Sequence, residues 1–315
     1  MNIVDRINQT QFDSRNTSQR TYIGASIIGS ACTRSLWYTF RGAKEVSFPA
    51  RILRRFESGD HYESRLIEWL VEAGYEVRCE NPRAKNNKKQ YAAEEYGGLF
   101  RGHVDGFVKG HELDCWHLLE VKAMASAKYK QDSDGEPCKN KQSGSLEGRW
   151  WRVKRLGCKK TQPTHYAQMQ AYMGFSQDHY EKWGLDGPIT KALYVCINTD
   201  TDQIHAEVID FDAAWYNRIR SRVMEIARSI EPPSRLHQNP SDFDCRYCDY
   251  QGICHLAEPM KIECRTCKHA TMMVPGDKGY YAKRAQWACT LHKQSCGTFE
   301  ACEQYETIET HEEAF

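Results

Sequence analysis

The sequence predicts an α/β domain with a mixed central sheet flanked by helices, followed by a small C-terminal metal-binding module. Apolar residues recur at helical spacing in some segments and alternate with polar residues in others, as helices and half-buried strands require. After Pro232 and Pro233 the chain changes character and clustered cysteines begin. Such clusters are typical of metal sites.

The composition is that of an ordinary globular protein, with 40% hydrophobic and 27% charged residues in a chain of 315. No apolar run approaches the roughly 18–20 residues of a membrane span. Residues 1–20 are polar and lack the apolar core of a signal peptide, so we interpret them as a flexible arm. These features predict a soluble, cytoplasmic protein without a membrane partner.

The expected elements follow in order along the chain. A helix from about Ser58 to Ala73 is indicated by apolar residues at helical spacing, with Gly74 as its stop. Pro163 suits the first turn of a later helix. The other predicted elements are a helix within residues 22–42 capped by Ser26 or Ser30, strands at 98–110 and 115–124, a helix at 163–175, a hairpin of 192–198 with 203–211, and a helix at 213–230.

Acidic and basic side chains lie on the two neighbouring strands near the middle of the chain. Glu120 and Lys122 share one face of their strand, because alternate side chains point the same way, while Val121 points into the core. Asp105 on the adjacent strand can approach Glu120. Two converging carboxylates form a site for a hard cation such as Mg²⁺ or Mn²⁺. Exposed strands often carry Glu and Lys, but the apolar neighbours here predict a buried strand, where charges need a compensating role.

Four segments resemble successive motifs of the RecB-like branch of the PD-(D/E)XK nucleases, which includes CRISPR-associated RecB-like exonucleases and phage recombination exonucleases. The segments are GDHYE, GHVDG, LLEVKA and HYAQMQAY, and the resemblance covers roughly residues 21–258. It implies a restriction-endonuclease-like PD-(D/E)XK fold for that domain.

The resemblance also implies roles for particular residues. Glu63, Asp105, Glu120 and the backbone carbonyl of Val121 would be metal ligands, and Lys122 the catalytic lysine. His61 competes with Glu63, although its spacing from Gly59 favours a surface position. Gln168 and Tyr172 match the family's QxxxY motif and would face the DNA backbone; the alternative is the polar edge of a core-packed helix.

Eight of the fourteen cysteines lie between Cys245 and Cys302. Cys245, Cys248 and Cys254 supply three ligands, one fewer than an iron–sulfur cluster or a structural zinc site usually has. In iron–sulfur-stapled RecB-like nucleases a lone upstream cysteine completes the set, so the resemblance implies a [4Fe–4S] cluster that includes Cys32. The alternatives are zinc with His255 as the fourth ligand, and Cys32 as a merely buried residue.

The last segment, residues 259–315, is interpreted as a zinc-ribbon-like module. Cys264 and Cys267 form one CxxC pair, and Cys289 with Cys302 would complete a Zn²⁺ site. His292 and Cys296 compete for the fourth position. The metal would stabilise a segment with little apolar content. The role of this segment could be DNA binding, partner docking or stability. Five further cysteines show no ligand spacing: Cys79, Cys115, Cys138, Cys158 and Cys196.

Basic residues crowd into residues 122–160, although the whole chain has 43 basic and 42 acidic residues. A local basic patch is what sequence-independent DNA binding depends on, and a solvated loop is the alternative. We expect this segment to guide the DNA strand towards the catalytic residues, with Trp150 and Trp151 stacking on bases. The candidate DNA-binding residues are Lys128, Lys130, Arg149, Trp150, Trp151, Lys154, Arg155, Lys159 and Lys160.

These observations predict a Mg²⁺- or Mn²⁺-dependent deoxyribonuclease that hydrolyses DNA phosphodiester bonds. The RecB-like motifs favour an exonuclease acting on single-stranded DNA or accessible ends, in recombination, repair or phage DNA processing. A phage origin and a recombination or replication protein partner also follow from the resemblance. The alternatives are a structure-specific endonuclease, a non-catalytic DNA-binding scaffold with a nuclease fold, and an iron–sulfur or zinc regulatory protein.

Overall fold

The computed structural model describes residues 2–14, 20–81, 90–125, 130–131, 137–138, 149–297 and 299–308. Contacts between Cα atoms divide the chain into two compact units. We call Arg51–Ala92 with His103–Ala213 the sheet unit. The cysteine unit comprises Met1–Ala50, Ala93–Gly102 and Ala214–Phe315. The proposed boundaries of the nuclease domain and the C-terminal module stay predictions.

Groups of helices and groups of strands follow one another along the chain. The helices are α1 Ile3–Ser14, α2 Thr33–Arg41, α3 Ala50–Glu72, α4 Arg149–Leu156, α5 Cys158–Thr161, α6 Pro163–His179, α7 Ala213–Arg228, α8 Phe243–Arg246 and α9 Gln251–His255. The strands are β1 Ile23–Gly24, β2 Glu76–Arg78, β3 Tyr91–Glu95, β4 Phe100–Val104, β5 Gly106–Gly110, β6 Leu113–Met124, β7 Lys130–Gln131, β8 Pro137–Cys138, β9 Lys191–Asn198, β10 Ile204–Asp210, β11 Ala270–Met273, β12 Gln286–Cys289 and β13 Gln294–Ser295.

A mixed five-stranded sheet is the centre of the sheet unit, in the order β10-β9-β6-β5-β2. β6 and β9 run parallel, and the other neighbours are antiparallel. Pro163 begins α6, which contacts β6 and β9. Helices therefore accompany a mixed sheet, which confirms the predicted fold class.

The two faces of β6 have different surroundings. Leu119 and Val121 belong to an apolar cluster with Leu66 of α3, and Tyr62 and Leu70 pack against it. Alternation places Glu120 and Lys122 on the opposite face. In the parallel register these two residues lie beside Tyr194 and Cys196 of β9. The prediction that Val121 enters the core while Glu120 and Lys122 share a face is confirmed.

Some predicted boundaries were wrong. Residues 98–110 do not form one strand, because β4 ends and β5 begins on either side of Asp105. α3 begins at Ala50, eight residues before the predicted start at Ser58, and Gly59 lies inside it. Glycine in a helix costs only about 1 kcal/mol relative to alanine, so the remaining contacts of α3 outweigh it.

The cysteine unit contains α2, whose start also differs from the prediction. Neither Ser26 nor Ser30 caps it. The Cys32 side chain accepts a hydrogen bond from the Ser35 backbone N–H at 3.4 Å and caps the helix. Gly42 ends α2 in the left-handed conformation with φ 65°, which glycine adopts without strain.

The C-terminal segment packs against α2 within the same unit. Arg41 is buried, with its guanidinium 4.9 Å from the Trp37 ring centre and 5.2 Å from that of Trp287. It also donates to the Arg265 carbonyl at 2.9 Å, and the Phe40 and Trp287 rings are 4.9 Å apart. Apolar burial thus contributes to holding a segment whose stability we ascribed to metal alone.

Residues 3–14, within the predicted flexible arm, form the helix α1. Its apolar side chains Ile3, Val4, Ile7 and Phe12 are exposed. Among the described residues, none of the helices is both long enough and apolar enough to cross a lipid bilayer.

Candidate active site

Four side chains predicted to share a site come together within the sheet unit. Glu63 comes from α3, Asp105 from the break between β4 and β5, and Glu120 and Lys122 from β6. Glu120 is completely buried. Glu63 is near enough to Asp105 and Lys122 for their charges to shift its pKa, and Glu120 is near enough to all three. The structure therefore brings the predicted group together.

Hydrogen bonds fix the centre of this group. Asp105 accepts a hydrogen bond from the Val121 backbone N–H at 3.0 Å, which explains why the chain leaves strand geometry at Asp105. The Lys122 ammonium forms an ion pair with Glu120 and donates to the Val121 carbonyl at 3.1 Å. The predicted metal-binding carbonyl of Val121 thus lies at the site, where it contacts Lys122.

Burial and crowding of carboxylates change the ionisation of the site. Burial, and then the charge of Asp105, raise the pKa of Glu63 to about 7 against the opposing effect of Lys122. Burial raises the pKa of Glu120 to about 8, although the Lys122 ammonium counteracts it. Burial alone would lower the pKa of Lys122, but the Glu120 and Asp105 carboxylates raise it above its ordinary value. Lys122 is therefore a cation at neutral pH.

The chemistry of these groups fits a hard divalent cation. Neither carboxylate oxygen of the buried Glu120 accepts a hydrogen bond of good geometry, and its partner is the charged Lys122. A buried, incompletely satisfied carboxylate is costly unless a cation compensates it. Glu63 and Asp105 add further oxygen donors, the type of ligand that Mg²⁺ and Mn²⁺ prefer.

The raised pKa values predict that the metal-free protein loses stability as the pH rises. Glu63 and Glu120 start from an ordinary value of 4.5 and reach about 7 and about 8 in the folded chain. Between pH 5 and pH 8 the unfolded chain therefore releases protons that the folded chain keeps. The free energy of unfolding should fall over this range, with Glu120 as the larger contributor.

Urea unfolding at pH 5.5 and pH 8 in the presence of a chelator measures this effect. In Glu120→Gln the dependence on pH should be visibly weaker, since the amide does not titrate. The same dependence in both proteins would show that Glu120 does not have the raised pKa.

Gln168 and Tyr172 of α6 lie next to the same group. Gln168 donates to the Tyr172 hydroxyl at 3.3 Å, and both side chains are buried. Burial, followed by the Glu120 and Asp105 charges, raises the pKa of Tyr172. The expectation that this pair faces the DNA backbone stays a prediction; in the structure both side chains are buried and hydrogen-bond to each other. His61 is exposed in the interior of α3, as its spacing favoured, although not in the first turn.

Other residues near the site were not predicted. The Tyr194 hydroxyl is 2.6 Å from His165 Nδ1, and Tyr194 is the neighbour of Glu120 in the register of β9. The alternation of β9 was a signal that could have placed Tyr194 and Cys196 on this face. Cys79 follows β2 and lies close enough to Glu63 and Asp105 that, after burial, their charges help raise its thiol pKa to about 11. No spacing pattern in the sequence indicates that proximity.

The predicted DNA-binding segment is partly helical, which corrects the expectation of one long loop. α4 and α5 occupy residues 149–156 and 158–161, and the side chains of Lys154, Arg155, Lys159 and Lys160 are exposed. Lys128 and the side chains of Lys130, Arg149 and Trp151 lie outside the described residues.

Trp150 is fully buried, so the prediction that it stacks on DNA bases was wrong. Its ring lies 6.4 Å from that of His205 in an edge-on arrangement. An indole beside basic residues looks like a stacking platform in the sequence, but here it anchors α4 to the sheet.

Glu207 on β10 holds the junction between α4 and α5. It accepts a hydrogen bond from the Cys158 backbone N–H at 2.8 Å. Gly157 has φ +77°, and a Cβ there would come within 2.9 Å of the Glu207 carboxylate. The left-handed backbone conformation favours glycine at this position. The hydrogen bond to Glu207 fixes where α5 begins relative to β10.

The four cysteines predicted to bind an iron–sulfur cluster lie in one neighbourhood of the cysteine unit, although no three of their sulfur atoms all lie within 4.8 Å of one another. Burial raises the pKa of Cys245, and the thiols of Cys254 and Cys32 raise it further. Burial also raises the pKa of Cys248, to which Cys32 and Cys254 contribute. Cys32 is thus near its predicted partners, although it is also the cap of α2. The nature of the bound metal stays a prediction, as does the alternative with His255.

The cysteines of the C-terminal segment line a cavity of about 130 Å³, together with His292 and His269. Cys289 Sγ lies 3.6 Å from His292 Nδ1. Burial raises the pKa of Cys296 to about 12, with contributions from Cys264, Cys289 and Cys267. The structure therefore gathers the predicted ligands Cys264, Cys267, Cys289 and Cys302 with both of their competitors, and the zinc set stays a prediction.

Solved structures of similar proteins are distant. The crystal structure of SSO0001 has 14% identity and a TM-score of 0.39, covering 81% of this chain and 96% of that chain. LHK-Exo in complex with dAMP has 16% identity and a TM-score of 0.35, covering 70% and 90%. An alkaline exonuclease (LHK-Exo) from Laribacter hongkongensis has 15% identity and a TM-score of 0.34, covering 69% and 90%. Similarities with TM-scores below 0.5 do not assign a substrate or a site.

No curated protein matches the sequence. A family profile described as the PD-(D/E)XK nuclease superfamily matches residues 43–255, which is more than half of the chain. The matched range contains Glu63, Asp105, Glu120 and Lys122. The chain therefore belongs to the PD-(D/E)XK nuclease superfamily.

Proposed function

We propose that the chain is a Mg²⁺- or Mn²⁺-dependent DNA nuclease of the RecB-like branch, acting as an exonuclease on DNA ends. The observation that carries the proposal is the buried Glu120 carboxylate, paired with Lys122 and adjacent to Asp105 and Glu63. Membership of the nuclease superfamily supports hydrolysis. The motif order supports the RecB-like branch.

Each residue of the site has a distinct proposed role. Glu63, Asp105 and Glu120 supply oxygen ligands, and the hydrogen bond from Val121 N–H keeps Asp105 turned towards β6. A bound divalent ion would lower the pKa of a water molecule and neutralise charge on the scissile phosphate. Lys122 stays protonated and can orient the attacking water or stabilise negative charge on the phosphate oxygens. Tyr172 and Gln168 restrict the positions of the carboxylates by packing beside them.

End-labelled linear DNA and covalently closed circular DNA, each incubated with Mn²⁺, test the assignment. An exonuclease should release the label from the linear substrate and leave circles intact. If circular DNA is cleaved as fast as linear DNA, the exonuclease assignment is wrong and a structure-specific endonuclease is favoured. DNA binding without cleavage of either substrate would indicate a non-catalytic scaffold.

The basic helices α4 and α5 are the proposed DNA-binding surface. The pairs Lys154→Ala with Arg155→Ala and Lys159→Ala with Lys160→Ala should each weaken DNA binding on the order of tenfold at physiological salt. The slope of log affinity against log salt should fall by about 1 to 2 units for each pair, because phosphate contacts release counterions.

Fluorescence anisotropy with labelled DNA at several salt concentrations checks this prediction. Lys182→Ala, an exposed lysine outside the segment, is the matched control and should bind like the wild type. If the slope of log affinity against log salt is unchanged in both double variants, α4 and α5 are not the DNA-binding surface.

The cysteine clusters complete the proposal. Cys32, Cys245, Cys248 and Cys254 would hold a [4Fe–4S] cluster, and Cys264, Cys267, Cys289 and Cys302 a structural Zn²⁺ ion. Cys32 precedes the other three by more than two hundred residues, so the cluster would join distant parts of the chain. A phage origin and a recombination or replication partner stay predictions of the resemblance, and a cytoplasmic location stays a prediction from the composition.

A further inference from the structure

An irregularity interrupts β6 before the active-site residues. Val108 of β5 pairs with His117, and Gly110 pairs with Leu113, so three residues of β6 stand opposite the single residue Lys109. Such a β-bulge breaks the two-residue alternation and redirects side chains. The three residues in the bulge are Asp114, Cys115 and Trp116.

The other edge of β6 is open at the same place. The pairing of β6 with β9 begins only at Leu118, opposite Ala192. The backbone carbonyl of Cys115 therefore lacks a ladder partner on β9, and the imidazole of His117 turns towards it, with Nδ1 2.9 Å from the carbonyl oxygen. The bulge and the open edge together allow neighbouring side chains to meet.

Asp114, Cys115 and His117 converge at this point. One ligand atom from each residue lies within 4.8 Å of the other two, and Cys115 Sγ is 4.0 Å from His117 Nδ1. Among the described residues this is the one group of three potential ligands whose atoms all lie within 4.8 Å of one another. Neither the carboxylates of the candidate active site nor the two cysteine clusters meet that distance. Ligand atoms around a tetrahedral zinc ion are about 3.5 Å apart. Metal binding therefore requires small side-chain rotations in which His117 Nδ1 gives up its hydrogen bond to the Cys115 carbonyl.

The site lies in water-accessible surroundings with basic neighbours. Asp114 and Cys115 are exposed, whereas His117 is buried. The Lys191 ammonium is 3.6 Å from the Asp114 carboxylate, and Lys109 also lies near enough to Cys115 for its charge to lower the thiol pKa. Because the Lys191 side chain is 37% exposed, it can leave the carboxylate when another cation binds.

We infer that Asp114, Cys115 and His117 form a binding site for a divalent transition-metal ion of the zinc type. A thiolate and an imidazole select such ions over Mg²⁺, and the carboxylate completes a donor set that zinc accepts. Three protein ligands leave a fourth position for water or an external ligand. His117 precedes Glu120 by three residues on β6, about 10 Å, so this ion is separate from the one in the active site.

Zinc content and affinity of the full-length protein test the inference. After equilibration with buffered Zn²⁺, the wild type should hold one zinc ion per chain more than Cys115→Ser or His117→Gln. Lys191→Gln should keep the number of ions and bind zinc at this site about fivefold more tightly, because a neighbouring positive charge is removed. Glu112→Gln changes an adjacent exposed carboxylate that accepts a hydrogen bond from Tyr75, and it should behave like the wild type.

The variants separate a metal site from a loss of folding. Cys115 and Lys191 are at least partly exposed, so their substitution should leave the thermal unfolding midpoint unchanged, even where substitution of the buried His117 lowers it. Equal zinc content in the wild type and Cys115→Ser would overturn the inference. So would an equal loss in Glu112→Gln, or weaker binding in Lys191→Gln.

Discussion

Replacing Lys122 with methionine is expected to slow DNA hydrolysis by about 100- to 1000-fold, with DNA affinity changed by less than about twofold. Methionine has a similar length and removes the positive charge beside Glu120. Lys122 Nζ contacts Glu120 and the Val121 carbonyl, and its side chain is only 26% exposed. A group so placed contributes to the reacting centre far more than to the general attraction of DNA.

Single-turnover cleavage of end-labelled DNA with saturating Mn²⁺ separates the rate from binding. Lys182→Met, an exposed lysine of the same unit, is the control and should cleave at the wild-type rate. Glu120→Gln should also lose cleavage, but it should in addition weaken Mn²⁺ binding measured by calorimetry. Wild-type cleavage by Lys122→Met would refute the proposed mechanism.

The second large effect is expected from Cys245→Ser, which should abolish the visible absorbance of the purified protein and remove about four iron atoms per chain. Cys245 lies with Cys248, Cys254 and the distant Cys32. A cluster on these four thiols closes a loop of more than two hundred residues, so its loss should destabilise the protein by roughly 5 kcal/mol. The unfolding midpoint should fall by roughly 10 °C.

Iron analysis, absorbance and thermal unfolding of anaerobically purified protein measure these changes. Cys115→Ser is the control because Cys115 lies outside both cysteine clusters, and it should keep the iron and the absorbance. A colourless wild type that loses one zinc ion in both Cys245→Ser and His255→Gln would establish the alternative zinc site. Unchanged iron content in Cys245→Ser would exclude this cysteine as a ligand.

The sequence predicted the strand that carries Glu120 and Lys122 well, because periodicity is a local property. Alternation in LLEVKA places Glu120 and Lys122 on one face and Val121 in the core, and the structure has this arrangement. Helical spacing located α3 and α6, and their motifs indicated Glu63, Gln168 and Tyr172. The ends of elements were less predictable. Cys32 caps α2 in place of the expected serines, because a cap depends on which side chain reaches the free N–H groups.

Local sequence patterns did not predict which polar and aromatic side chains are buried. Trp150 lies among basic residues in the sequence, yet the docking of α4 buries it completely. The register of β6 with β5 likewise produces the bulge at Asp114 and Cys115, and nothing in the spacing of these residues indicates it. Both results depend on partners far away in the chain.

By itself the sequence determined the fold class, the order of the motifs and the face on which Glu120 and Lys122 lie. Only the tertiary structure decided which of these charged side chains are desolvated. Asp105 turns towards Val121, Glu63 and Tyr172 come from two helices, and Glu120 becomes completely buried. The physical reason is that the alternation of a strand depends on neighbouring residues alone. Desolvation of a side chain depends on which distant segments of the chain cover it.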